Sequence, residues 1–511
     1  MKNPILAALR FADSQKGRPL SILPFLIIAI FVGFVRCLEE AFFFNGKIAF
    51  EIVIGFSFFY LTLSLCLIAG LALINNFQNL RLANGVLPGI FLGMFPPIID
   101  FVFSNSEQPI RYSYYQVQSL GYVPWLFYDP ILGFPLGECS TVWLAILFAA
   151  IYAFRITRSP IRAFFSGIWA YAIIFALLVV VPALTAGQNK FSLTEPSRLS
   201  AYQSKIAQIS TYDIVTVQAF IASAAVLFLQ PRFLLECFAK ILHIIPFALL
   251  TALGGLLISP LSQRAITCVG LTAYTFMHWL LINNYADRVA DMEVGRRTYA
   301  TKFASDASVA TIMGFSLWYG YNGRMEGFCY GMIVLLTLAY SSETMRAKRH
   351  FFSAMKIESA WAFFSILAGV LAFPQSAFRP PVLMTVVVIS AGFGVVSLWR
   401  DYKDIDADEK AGFKTLYIIL LRMTNNLSRV RVIVNWIIIP LLVLPLIVVW
   451  PLTLPLGAKL LTSLSLIFLV FLVHFDKMLK TFNPVLFCLN VYLLGLVWAM
   501  DSLIDQGKWI F

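Results

Sequence analysis

Charge is scarce in this chain of 511 residues: Lys, Arg, Asp and Glu make up 13% of it. That is about half the share of an ordinary water-soluble domain. Too few ionised side chains exist to cover a soluble multidomain protein, and a mean hydropathy of +0.81 points the same way. Histidine is scarcer still, with four residues (His243, His278, His350 and His474) spread far apart, so a haem or zinc site lacks a ligand set. The 7 cysteines form no CxxC pair and sit mostly in apolar runs, which leaves neither a disulfide framework nor a metal knuckle. The apolar runs also lack the alternation of barrel strands.

What the chain does have is apolar runs of bilayer-spanning length, such as 241–258, 381–398 and 432–449. In hydrocarbon only a helix satisfies its own backbone without closing a barrel. The fold class is therefore an all-α, polytopic, multi-pass membrane protein. Spans are expected to begin near residues 20, 48, 83, 140, 163 and 212, and then near 241, 262, 306, 325, 357, 381, 430, 456 and 484. That makes about six transmembrane helices before a polar break near 230 and nine after it. The expected domains are an N-terminal multi-span membrane module, 1–230, and a second membrane module, 231–511. Lys2, Arg10, Lys16 and Arg18 before the first apolar run read as a retained signal anchor. The stretch 122–136, short and holding Asp129 and three prolines, reads as interfacial or re-entrant.

The formal charge of +12 reads as cytoplasmic loops facing a lipid bilayer, with no nucleic-acid partner. Alternate loops of the second module are rich in Lys and Arg: Arg288, Arg296, Arg297 and Lys302 in one, Arg400, Lys403, Lys410, Lys414 and Arg422 in another. The opposite loops hold only Arg264, Arg324, Arg379 and Lys459. The positive-inside rule puts the first set in the cytoplasm, in the inner membrane if the cell is bacterial.

The acids are concentrated. Windows 283–298 and 400–415 hold eight of the 26 acidic residues, and a shift of 117 superposes Asp287 on Asp404, Asp291 on Asp408, Gly295 on Gly412, Arg297 on Lys414 and Thr298 on Thr415. Two pseudo-equivalent half-bundles with facing sites follow from such a repeat. Asn283, Asp287 and Asp291 are spaced i, i+4, i+8; Asp401, Asp404 and Asp408 are spaced i, i+3, i+7. Each set lines one helical face. Like charges so placed repel unless a cation neutralises them, and oxygen-only donors favour Mg²⁺ or Ca²⁺ over Zn²⁺. Arg296, Arg297, Lys410 and Lys414 beside the acids suit phosphate. A solvated loop of mixed charge explains neither the phasing nor the repeat. The pattern predicts a phosphorylated substrate with a lipid tail, bound at one membrane face.

At these residues the chain resembles the UbiA-type intramembrane prenyltransferase superfamily. The stretches Asn283-Asn-Tyr-Ala-Asp287-Arg-Val-Ala-Asp291 and Asp401-Tyr-Lys-Asp404-Ile-Asp-Ala-Asp408 are similar to that family's two aspartate motifs. Gly295-Arg-Arg-Thr298 and Gly412-Phe-Lys-Thr415 look like the tails that follow them. Tyr340-Ser-Ser-Glu-Thr-Met-Arg346-Ala-Lys348-Arg349 is similar to an element of the branch that prenylates homogentisate and chlorophyll precursors. Two positions depart from the pattern: Asn284 stands where many members have Asp, and Thr344 where some have Lys.

The resemblance covers about 230–511 and implies a nine-helix prenyltransferase bundle. It further implies a Mg²⁺-dependent prenyltransferase with the active site facing the cytoplasm. Two Mg²⁺ ions would be held by Asp287, Asp291, Asp404 and Asp408, and a prenyl diphosphate donor by Asn283, Arg296, Arg297, Tyr340, Arg346, Lys348, Asp401 and Lys414. The acceptor would be a small hydrophobic or aromatic molecule, with a phosphosugar or glycerol phosphate as an alternative. A secondary transporter built on two pseudo-repeats is the competing class. In the first module Asp100, after Pro96 and Pro97, is expected to mark a helix end at the interface.

Overall fold

A computed structural model of the chain describes residues 21–44, 50–75, 83–103, 136–181, 211–229, 236–237, 240–260, 262–287, 301–341, 351–373, 379–410, 415–449 and 454–505. These residues are helical almost throughout, with no strand among them. The expected signal anchor charges before residue 21, the 122–136 segment up to Leu136 and most of the polar break near 230 lie outside the described residues.

Among the described residues nine helices are long and apolar enough to cross a membrane, and four shorter apolar helices accompany them. Their outward faces fit lipid. Leu460, Leu464, Ile467, Phe468 and Phe471 fall at helical spacing on one helix, and all are exposed. Each would be stabilised by roughly 2 kcal/mol on leaving water, so a continuous stripe of this kind belongs against hydrocarbon.

By internal contact the chain divides into two compact units, one comprising Met1–Pro231 with Thr301–Thr311, the other Arg232–Ala300 with Ile312–Phe511. Unit 1 contains α1 (Leu23–Phe44), α2 (Phe50–Ile74), α3 (Ala83–Ile90), α4 (Phe95–Phe103), α5 (Leu136–Thr157), α6 (Pro160–Phe175) and α7 (Thr211–Phe228). The single span expected from residue 83 is present as one apolar helical run, Gly85–Phe103, which tightens to a 3-10 turn over Phe91–Met94 between α3 and α4. Pro96 and Pro97 sit in the first turn of α4, where a missing N–H costs little. The part-buried Gly93 carbonyl in this turn accepts from Tyr60 OH at 3.0 Å and from Arg36 Nη1 at 3.5 Å. Asp100, near the C-terminal end of α4, is buried in the packing, at 2% exposure. Its Oδ1 accepts from Gly137 N at 2.6 Å, so the carboxylate closes the N-terminus of α5, where the helix dipole favours negative charge.

Unit 2 begins with α8 (Ile241–Leu256) and α9 (Gln263–Ala286), and takes the later part of α10 (Lys302–Tyr321), whose first turns belong to unit 1. It continues with α11 (Glu326–Ser341), α12 (Phe351–Leu371), α13 (Pro380–Val396), α14 (Leu398–Lys410), α15 (Leu416–Thr424), α16 (Leu427–Val449), α17 (Leu456–Leu472), α18 (Asp476–Thr481) and α19 (Asn483–Asp505). Helix α8 is central and packs on α9, α12 and α19. A Cβ on Gly254 would run into the carbonyl of Ile366, and one on Gly369 into that of Thr251, so only glycine allows α8 and α12 their separation. Such close approach is how helices associate in lipid, where apolar burial supplies little drive.

Candidate functional site

The first acidic window continues α9. Asn283 lies in its last turn and Asp287 is its C-cap residue. The i, i+4 spacing is realised as a hydrogen bond: Asn283 Nδ2 donates to Asp287 Oδ2 at 3.0 Å. The other side of the same amide, Oδ1, accepts from Ser341 Oγ at 2.8 Å. Ser341 is the last residue of α11, so the ends of α9 and α11 are tied together at this carboxylate.

The second window is a separate helix. Helix α13 ends at Val396, Ser397 makes a turn, and α14 carries Asp401, Asp404 and Asp408 on one face by backbone position. Asp401 is half-buried. It lies close enough to Tyr417 for its charge, after burial, to push that phenol above the ordinary tyrosine range, with Arg431 pulling the other way. Thr415, the end of the second motif tail, is the N-cap of α15 and accepts from Ile418 N.

Between the windows stands a buried ion pair. Glu358, one-third of the way along α12, and Arg400, in the first turn of α14, are joined through Oε1 and Nη2, with side chains 4% and 22% exposed. The same Nη2 donates to Tyr340 OH at 3.0 Å. Tyr340 precedes Ser341 and Arg400 precedes Asp401, so the two acidic windows meet at the adjacent pair Tyr340 and Ser341. Asn283, Asp287, Tyr340 and Asp401 are thus brought to one end of unit 2.

Of the other expected site residues, Asp291, Arg296, Arg297, Arg346, Lys348 and Lys414 lie outside the described residues, as do the side chains of Asp404 and Asp408. Among the described residues no three His, Cys, Asp or Glu side chains are grouped to hold a metal. The donors that are described at this end (the Asp287 and Asp401 carboxylates, the Asn283 amide, the Ser341 hydroxyl) are all oxygen or amide groups. That donor chemistry fits Mg²⁺ better than a softer metal.

The partners of several residues were not legible in the sequence. Asn284 is buried and bridges two charges: its Oδ1 accepts from Lys240 Nζ at 2.9 Å and its Nδ2 donates to Glu236 Oε2 at 2.9 Å. An amide offers both an acceptor and a donor at once, which accounts for Asn rather than Asp at this position. Arg400, expected among loop cations, is consumed by Glu358 and Tyr340. Arg264, expected in an opposite loop, forms a bidentate pair with the fully buried Glu326 at 3.0 and 2.8 Å.

Behind the polar end lies a cavity of about 60 Å³, walled by His243, Phe247, Trp279, Trp361, Phe393, Trp399 and Phe482, with Glu358 and Arg400 as its charged members. The Tyr340 ring lies 5.0 Å from Trp361, and Trp361 5.4 Å from Trp279. Phe247 is 5.3 Å from Phe393. The aromatic wall thus runs directly into the residues that join the acidic windows. No family model, curated protein or solved structure matches this chain.

Proposed function

We propose that unit 2 is a Mg²⁺-dependent integral-membrane prenyltransferase, moving a polyprenyl group from an allylic prenyl diphosphate to an aromatic or ring acceptor. One observation carries the reading. The hydrogen-bonded run from Asp287 through Asn283 and Ser341, with Tyr340 held by Arg400 beside Asp401, joins the two acidic windows next to an aromatic cavity. A phosphate-handling end backed by an aromatic cavity is the arrangement this chemistry needs.

In this proposal Asp287, Asp291, Asp404 and Asp408 hold two Mg²⁺ ions, with Asn283 and Asp401 beside them. When bound, the metal supplies charge neutralisation for the diphosphate. Arg297 and Lys414, helped by Arg296, Arg346 and Lys348, bind phosphate oxygens directly. The allylic C–O bond breaks and its electron pair leaves with the diphosphate. The allyl cation is captured by the acceptor, which forms the new bond and gives up a proton. The aromatic wall excludes water, which would otherwise trap the cation, and its ring faces stabilise positive charge by cation–π attraction. The product remains in the lipid. The proposal includes fifteen spans with this end of unit 2 facing the cytoplasm, by the distribution of Lys and Arg.

A second reading, secondary transport, draws on unit 1. The 3-10 turn within the α3–α4 run, close to buried Arg36 and Asp100, is the kind of local irregularity that lines transporter sites. Thermal stability in nanodiscs separates the two. The transferase reading expects Mg²⁺ and geranylgeranyl diphosphate together to raise the melting temperature beyond either alone. Saturation at one hundred times Kd is worth about 2.7 kcal/mol. No rise with that pair, and a rise with Na⁺ and a small solute, would favour transport.

A further inference from the structure

Between α15 and α16 the chain turns at Asn425 and Asn426, with an exposed arginine on either side. Asn425 ends α15 in the left-handed region, at φ 48°, and its N–H donates to the Leu421 carbonyl at 2.7 Å. Asn426 Oδ1 accepts from Arg429 N at 3.1 Å and closes the first turn of α16. Arg422 precedes Asn425 by three residues and Arg429 follows Asn426 by three. Each therefore stands about 4.5 Å along its helix from the turn, and both are exposed.

The chain brings no counter-charge of its own to this hairpin. The sequence contains neither Asp nor Glu from 410 to 475. Among the described residues neither guanidinium takes part in an ion pair. Arg431 shows the contrast: it is half-buried and lies close enough to Tyr417 to act on its phenol. The hairpin turns one arginine into the packing and presents two outward.

The surface beside those two is apolar. On α15 Ile419, Arg422 and Met423 share the exposed face at i, i+3 and i+4, and Met423 is 77% exposed. On α16 Val432, Ile433 and Trp436 follow Arg429 at i+3, i+4 and i+7, and Trp436 is 76% exposed. Nine residues give α15 a length of about 13.5 Å, under half of the roughly 30 Å of hydrocarbon, so it is too short to cross. Helix α16 instead begins the candidate span Leu427–Leu444. The arginines thus stand at the end of a span, at headgroup level, and the apolar stripe runs from them toward the hydrocarbon.

Charge and surface together select the ligand. A guanidinium fork matches phosphate oxygens, and with no acid nearby in sequence the positive charge calls for an anion from outside. A soluble phosphate would leave Met423 and Trp436 in contact with water, whereas a phospholipid covers them with its acyl chains. A zwitterionic headgroup brings a cation of its own, which the arginines repel. We propose that the α15–α16 hairpin binds an anionic phospholipid, its phosphate on Arg422 and Arg429 and its acyl chains along Met423, Val432, Ile433 and Trp436. This site does not rest on the transferase reading.

The test is native mass spectrometry of the full chain released from a neutral detergent, which counts each bound lipid. The probes are dioctanoyl phosphatidylglycerol, dioctanoyl phosphatidylcholine and glycerol phosphate. A basic residue at a membrane surface is worth about fivefold in affinity for anionic lipid. With two arginines, phosphatidylglycerol is expected to bind about twenty-fivefold tighter than phosphatidylcholine. Arg422→Gln and Arg429→Gln should each lower its affinity about fivefold, and both together should bring it level with phosphatidylcholine. Phosphatidylcholine should bind every variant alike, which reports that the variants fold. Arg379→Gln, which removes an exposed arginine before α13, should leave both affinities as they are. Equal binding of the two lipids, unchanged phosphatidylglycerol affinity in the double variant, or an equal loss in Arg379→Gln would each overturn the proposal. Glycerol phosphate binding as tightly as phosphatidylglycerol would do the same, since it has the phosphate without the chains.

Discussion

Ser341 donates its hydroxyl to Asn283 Oδ1 at 2.8 Å, and that bond decides which way the Asn283 amide faces. With Oδ1 occupied, Nδ2 is turned to Asp287 and donates to its carboxylate at 3.0 Å. A residue at the end of one helix thereby orients the carboxylate at the end of another.

Ser341→Ala should therefore loosen Asp287 without touching it. Groups that orient a metal ligand are typically worth ten- to a hundredfold in metal affinity. The expected outcome is a fall of about tenfold in Mg²⁺ affinity, read from the Mg²⁺ dependence of prenyl transfer, with the melting temperature nearly unchanged. An unaltered Mg²⁺ curve would remove Ser341 from the site.

Glu358→Gln leaves Arg400 enclosed without its counter-charge. Breaking one partner of a buried pair costs roughly 3 kcal/mol, and the Tyr340 contact loses its anchor with it. Denaturation of the single variants and of Glu358→Gln combined with Arg400→Met checks this. The double variant should be more stable than the sum of the single losses allows.

The Arg264–Glu326 pair lies at the opposite end of α9, about 28 Å from Asn283 at 1.5 Å per residue. Glu326→Gln should lower stability by roughly 3 kcal/mol and leave Mg²⁺ affinity as it is. Combined with Ser341→Ala, the two effects should add. Coupling between them would mean that α9 transmits strain along its length.

Cys237 supplies a pH test outside the spans. Burial first, and then the Glu236 carboxylate, push its thiol from the ordinary value of 9.0 up to about 12, against the opposing Lys240 ammonium. The folded chain therefore keeps this proton between pH 9 and 12, where an unfolded chain releases it. Thiolate is the reactive form, so alkylation of Cys237 at pH 9 should be slow in the native protein and fast after denaturation, followed by peptide mass spectrometry. This thiol contributes stability below pH 9 that is lost as the pH rises toward 12.

Much of this was legible in the chain. The apolar runs located the helices, and the i, i+4 spacing of Asn283 and Asp287 foretold their contact at the end of α9. What the spacing could not foretell was contact between distant segments. Glu358 is an acid inside an apolar run, and hydropathy reads such a residue as noise; only its partner Arg400, more than forty positions away, makes it tolerable there. Arg400 itself was read as a loop cation because the apolar run ends just before it, whereas α14 restarts immediately after the turn at Ser397. The 3-10 turn between α3 and α4 was hidden for a related reason. Pro96 and Pro97 lie in the first turn after it, where a missing N–H costs little, so the apolar composition continues unchanged through it.

The central claim is that the two acidic windows serve one metal-dependent transfer. The most direct measurement is transfer from radiolabelled geranylgeranyl diphosphate into lipid-extractable product by the purified chain, comparing wild type with Asp287→Asn and Asp404→Asn across Mg²⁺ concentrations. The account predicts Mg²⁺-dependent transfer by the wild type and its loss by at least a hundredfold in each variant, about 2.7 kcal/mol of transition-state stabilisation. Undiminished Mg²⁺-dependent transfer by either variant would contradict it.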